Sequence, residues 1–249
     1  MMNPAEFANI ANSEQQLWWY RGMRQILFGM LDPFVAKRQI HRILEAGCGT
    51  GYFAKLVEQR YEAPTFAIDY GWPGLEYARR MGLRRTAQSD VRALPFPSAA
   101  FDLVLSMDVV VHFPRGEEGP ALREMARVLA PNGLFAIRVS ALDSLRSRHS
   151  QFVDERQRFT RGRLIQAVEA EGLRVLRCSY VNALLSPVAF AKFRVWEPLT
   201  NQPPASGVEP VAPLLDRMLH APLALEGRLL RLGWSFPLGQ SLVLIAEKA

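Results

Sequence analysis

The residues of this chain whose types and spacing could do chemistry are acids and glycines. The run Arg42-Ile-Leu-Glu-Ala-Gly-Cys-Gly-Thr-Gly51 puts a carboxylate, Glu45, just before three glycines at alternate positions, Gly47, Gly49 and Gly51, with Cys48 among them. Glycine lets a chain turn sharply and lets a ligand reach the backbone, because no Cβ obstructs either. Amides exposed at the start of the following helix suit a polar or anionic ligand. The spacing is G-x-G-x-G, not the G-x-G-x-x-G of dinucleotide binders. Two further acids, Asp69 and Asp90, close later segments. A carboxylate at a strand tip can grip a ribose diol in a doubly wound sheet, or it can cap the helix that begins at Pro73-Gly74. Asp90 alone carries little, since Asp is a common turn residue. His112 and His149 are candidate bases, since histidine's ordinary pKa suits proton transfer, with packing and loop roles as the competing readings.

Alternating strands and helices must position these groups. A short apolar strand precedes the glycine turn, a helix spans 52–60, and 65–69 reads as a buried strand ending in Asp69. A helix over 75–81 stops at Gly82, and a weak strand at 85–89 is closed by Asp90. Residues 101–106 are nearly continuously apolar, as a strand buried on both faces should be, and Met107-Asp108 sits at its tip, where open α/β sheets bind ligands. A helix over 120–129, a turn at 130–133 and a strand over 134–139 follow. Upstream, residues 1–12 read as frayed and Ser13 with Gln16 as a capping box for a helix that stops near Asp32-Pro33. Trp18, Trp19 and Tyr20 cannot all face one core, because adjacent helical residues diverge by about 100°.

Composition sets the outer bounds. At 249 residues the chain can bury a full core, and 49% hydrophobic with 22% charged residues is ordinary for a globular protein. The net charge of +6 comes from scattered basic residues, which argues against a nucleic-acid tract. The two cysteines, Cys48 and Cys178, do not suggest a disulfide framework and suit a reducing cytosol. No apolar run is long enough to span a bilayer and no signal core opens the chain, so a cytoplasmic location is expected.

Glu45 to Gly51 resembles the first motif of the class I S-adenosylmethionine (SAM) methyltransferases. Asp90-Val-Arg-Ala-Leu-Pro-Phe96 and Arg127-Val-Leu-Ala-Pro-Asn-Gly133 also resemble that family, and with Asp69 the motifs run in order over about residues 40–140. The resemblance implies an α/β, Rossmann-like doubly wound seven-stranded sheet, six strands parallel and the last antiparallel. It implies SAM as cofactor and S-adenosylhomocysteine as product. Glu45 and the turn around Gly47, Cys48, Gly49 and Gly51 would then face the methionine end. Asp69 would hold the ribose and Asp90 the adenine amino group, with Tyr70 and Val91 flanking the ring, and Met107 at its strand tip is a further expected cofactor contact. Trp19 and Arg21, on a helix that matches an aromatic-arginine N-terminal helix in relatives, join the expected cofactor contacts. No metal site is expected.

The expected organisation is an N-terminal helical lid over 1–36, a SAM-binding core over 37–180, a mainly helical insert over 181–239 and a last core strand over 240–249. The insert carries Trp196, Trp234 and Phe236, a proline-rich break at 202–207 and a helical pattern over 214–232, and it is expected to cap the acceptor side or to pair a homodimer. The function this implies is methyl transfer to a small-molecule acceptor, aromatic or lipid-like, with no nucleic acid as partner. A non-catalytic SAM-binding protein and an RNA ribose methyltransferase are the alternatives. An Asn/Asp-Pro-Pro-Tyr motif is absent after the 101–106 strand, which holds Met107-Asp-Val-Val110 instead.

Overall fold

The computed structural model describes residues 3–200, 203–207 and 211–249. Seven strands form one sheet in the order β3-β2-β1-β4-β5-β7-β6, comprising β1 (Ile43–Ala46), β2 (Thr65–Asp69), β3 (Thr86–Gln88), β4 (Phe101–Met107), β5 (Leu129–Ser140), β6 (Leu173–Val181) and β7 (Ser241–Lys248). β7 runs antiparallel to both β5 and β6, and the other pairings are parallel. Expectation and fold agree here. The order reverses between β1 and β4, which leaves a crevice beyond their C-terminal ends.

Period-two alternation splits each inner strand between two cores. Leu103 and Leu105 of β4 and Val243 and Ile245 of β7 point to one face, where they meet Met23, Ile26, Leu27 and Met30 of α2 (Trp18–Val35). Val104, Leu242 and Leu244 point to the other, against Leu122 and Met125 of α5 (Gly119–Val128) and Leu164 of α7 (Arg161–Glu169). α3 (Tyr52–Tyr61) and α4 (Trp72–Arg80) complete the βαβ units, and α6 (Arg148–Phe152) lies in the polar stretch after β5.

The N-terminal region departs from expectation in three ways. Residues 4–13 form α1 (Pro4–Ser13), started by Asn3, whose Oδ1 accepts from the Ala5 amide at 3.1 Å, and anchored by buried Phe7. Ser13 therefore ends one helix rather than capping the next. The cap of α2 comes from far along the chain, where Asp216 Oδ1 accepts the Trp18 amide at 2.8 Å while Asp216 pairs with Arg21. α2 also runs past Pro33 to Val35, where the proline has no N–H to give the Gly29 carbonyl.

The segment between β6 and β7 is helical, as expected. α8 (Ser186–Ala191), a π-turn over Lys192–Trp196 and α9 (Glu197–Thr200) form one stretch, and α10 (Pro213–Arg231) forms another. The proline-rich break lies partly outside the described residues. α10 packs along α2 with backbone close to backbone, since a Cβ on Gly29 would stand 2.6 Å from the Gly227 carbonyl oxygen. Gly29→Val should therefore part the two helices and cost about 1–3 kcal/mol of stability, read as a lower denaturation midpoint with unchanged slope.

Candidate functional site

The glycine turn is built onto the neighbouring strand before any ligand is considered. The amides of Gly47 and Cys48 both donate to the Ile68 carbonyl, at 2.9 and 2.8 Å, and the Gly49 amide donates to Asp69 Oδ2 at 2.7 Å. Gly49 has φ +55°, and a Cβ there would meet nothing within 4 Å. The turn thus leaves open space where any other residue would project. That space belongs to a cavity of about 1410 Å³ at the C-terminal ends of the strands.

One pole of the cavity is acidic. Glu45 ends β1 almost fully buried, and among the described residues its Oε2 has no hydrogen-bond partner. Burial, then the charges of Glu14 and Asp69, hold its carboxyl well above the usual range. Glu14, between α1 and α2, accepts a 2.6 Å hydrogen bond from the Thr50 hydroxyl, and burial still lifts it from 4.5 to about 7 against the pull of Thr50 and Arg24. Asp69 is raised by burial too, opposed by the Gly71 and Gly49 amides that its two oxygens accept at 2.7 Å each. Three crowded carboxyls without a matching cation make a place where a positively charged ligand gains most.

Beside this pole stands a stacked group that sequence reasoning missed. The Arg138 guanidinium pairs with Asp108, its Nε 2.9 Å from Oδ2, and lies 5.0 Å over the Trp19 ring, which meets Tyr20 edge-on at 5.0 Å. Burial, with Glu6 and Glu14 nearby, drives the Tyr20 phenol upward, so it stays protonated. Apolar side chains from beyond β6, Leu185, Val188, Phe193, Trp196, Leu215 and Leu219, also wall the cavity.

The structure brings most of the expected residues to the cavity. Glu45, Gly47, Cys48, Gly49, Asp69, Tyr70, Asp90, Val91, Met107, Trp19, His112 and His149 all line it. Asp90 is held below the usual carboxylate range by Arg92, whose amide it accepts at 2.9 Å. Three expectations need correcting. Gly51 lies behind the turn, where a Cβ would come 2.5 Å from that of Ala78, so it serves helix packing. Arg21 does not line the cavity, because its guanidinium is spent on Asp216. Trp234 is exposed outside, leaving Trp196 as the indole of the insert in the wall. His112 Nδ1 sits 3.2 Å from the Asp154 carbonyl, and His149 Nδ1 is 4.0 Å from Glu6 Oε1.

Comparison with known proteins bears on this geometry. A family described as methyltransferase domain matches residues 44–137. Residues 44–137 thus carry a SAM-dependent methyltransferase domain. Its cofactor is SAM. Probable tRNA methyltransferase 9B of Mus musculus is 36% identical over 107 residues, 43% of this chain and 23% of that protein. The fatty-acid O-methyltransferase of Mycolicibacterium smegmatis is 36% identical over 99 residues, 38% of this chain and 35% of its own. The matched stretches thus span well under half of these relatives. A solved complex of the Haloferax volcanii Trm112 methyltransferase activator and a putative methyltransferase matches over 97% of this chain and 96% of that one, at TM-score 0.60 and 16% identity, which establishes the shared fold.

The methyltransferase cavity fits its cofactor on observations of its own. SAM carries a sulfonium and an ammonium, and the acidic pole with the unpartnered Glu45 Oε2 is suited to such charge. Gly49 leaves the space a ligand backbone would need.

Two predictions follow from the acidic pole. Glu14 is raised in the folded chain, so the stability it lends the free protein is present below about pH 4.5 and lost as pH rises to about 7. A cation bound beside it favours the ionised form, so SAM affinity should rise between about pH 6 and pH 8, and Glu14→Gln should flatten that rise in titration calorimetry. Asp69→Ala should weaken SAM binding by about 1.5–3 kcal/mol and lower the melting temperature as well, since two backbone amides lose their acceptor. Wild-type affinity in a folded Asp69→Ala protein would remove Asp69 from the site.

Proposed function

We propose that the protein transfers the methyl group of SAM to an aromatic or lipid-like small molecule. The observation that carries this reading is the size and polarity of the cavity. Its volume of about 1410 Å³ exceeds the roughly 300–1,000 Å³ of a typical single-ligand pocket, which leaves room for donor and acceptor together. The acidic pole suits the donor and the apolar wall from Leu185 to Leu219 suits an apolar acceptor. When bound, SAM supplies an electrophilic methyl group, and the chain's task is to hold the two partners in line.

In this reading Glu45 and Glu14 hold the cationic end of the cofactor, and Asp69 orients the ribose. Asp90, Tyr70 and Val91 border the adenine. Where the acceptor must lose a proton, we assign the base to His112 rather than His149. A carbonyl oxygen only accepts, so the 3.2 Å contact with Asp154 places the proton on Nδ1 and leaves Nε2 as the basic nitrogen. Arg138, fixed by Asp108 and Trp19, positions the acceptor between the two poles. The name of the Mycolicibacterium smegmatis relative, a fatty-acid O-methyltransferase, supports an acceptor with an apolar chain.

The name of the Mus musculus relative favours a second reading, methylation of tRNA. Radiolabelled SAM offered with a fatty-acid and phenol panel in one set of reactions and total tRNA in another separates the two. Label in an organic-soluble product, with His112→Ala lowering kcat about 10²–10⁴-fold, is the expected result. Label in the RNA alone would overturn the small-molecule reading, and SAM binding without transfer to either would favour a binding protein.

A further inference from the structure

The helices between β6 and β7 present an outward face that no described residue covers. Along α10, Leu214, Met218, Ala221, Leu225 and Leu232 recur at helical spacing and are all exposed, Leu214 at 71% and Leu232 at 76%. The opposite side of the same helix buries Leu223, Glu226, Gly227 and Leu230 against α2 and β6. The α8–α9 stretch is exposed over most of its surface, Val188, Phe190, Val195, Trp196 and Leu199 included, Leu199 at 78%. Exposed apolar surface on this scale marks an interaction site.

The charges on these helices are sorted by side. Lys192, Arg194, Arg217, Arg228 and Arg231 are exposed, and among the described residues none is in an ion pair. The three described acids of the segment are all turned inward. Glu197 accepts the Arg148 amide at 2.9 Å, Asp216 accepts the Trp18 amide, and Glu226 accepts the Ala183 and Leu184 amides at 2.8 and 3.2 Å. Among the described residues the outward face is therefore apolar and basic.

We propose that this face docks on the surface of an anionic phospholipid bilayer. Amphipathic helices with leucine and tryptophan on one side and lysine and arginine around it lie in the lipid headgroup region in this manner. Each basic side chain near an anionic surface contributes about 1 kcal/mol. Among the described residues no helix is long and apolar enough to cross a membrane, so the contact is with the surface. Two copies meeting face to face would oppose five cations with five, which disfavours self-pairing. A phosphate backbone would satisfy the cations and leave the leucines in water. Val188, Trp196 and Leu215 are at once exposed and part of the cavity wall, so the docking face borders the cavity mouth. The proposal stands without any assignment of the acceptor.

Sedimentation of the full chain with vesicles of phosphatidylcholine, alone or mixed with phosphatidylglycerol, tests it. Binding to the mixed vesicles that falls with added salt is expected, with little binding to phosphatidylcholine alone. Arg217→Gln and Arg228→Gln should each weaken binding about fivefold, and the Leu199→Ser/Leu225→Ser variant should abolish it with an unchanged melting temperature. Absent binding, or binding indifferent to all these changes, would overturn the proposal. So would light scattering that finds a dimer which the serine variant converts to monomer.

Discussion

The arrangement depends first on three carboxyl groups kept out of water with no ion pair among the described residues. Glu45, Glu14 and Asp69 stand at the end of β1, at the α1–α2 junction and at the tip of β2, and the fold spends several contacts on holding them there. Thr50 reaches Glu14 and the turn amides reach Asp69, yet Glu45 keeps an oxygen bonded to nothing among the described residues. Such crowding is costly in the free protein and is relieved when a cation arrives. The glycine turn and α1 are both shaped around that pole, one leaving space and the other closing it.

A second constraint fixes the walls. α2 buries Ile26 and Met30 against the sheet, while its N-terminal half, from the first turn at Trp18 to Leu27, borders the cavity. Asp216 then fastens that turn, which places Trp19 under the Arg138 guanidinium. The region expected to act as a lid is thus divided, with α1 and the N-terminal half of α2 at the cavity and the rest of α2 in the core.

Much of this was legible in the sequence because it follows from local pattern. Near-continuous apolar runs marked β4 and β7, and acids at strand ends marked the cavity rim. Glu14 gave no such signal, since its meaning comes from Thr50, thirty-six residues away in the chain. Arg138 did give one: a charge inside the apolar run 134–139 needs a partner, and Asp108 at the neighbouring strand tip is it. The cap of α2 was out of reach. Ser13 offered a plausible local cap, and Asp216, 198 positions after Trp18, took the role instead.

The pairing of α2 with α10 also sets an order of events during synthesis. α2 leaves the ribosome with its apolar stripe formed, but Leu223, Gly227 and Leu230 follow only after β1 to β6 have emerged, and β7 comes after them. Because β7 lies between β5 and β6, both of those strands wait with an open edge until it emerges. Until then the nascent chain carries an uncovered helix face and two unpaired strand edges, surfaces that chaperones bind and that aggregate when left alone.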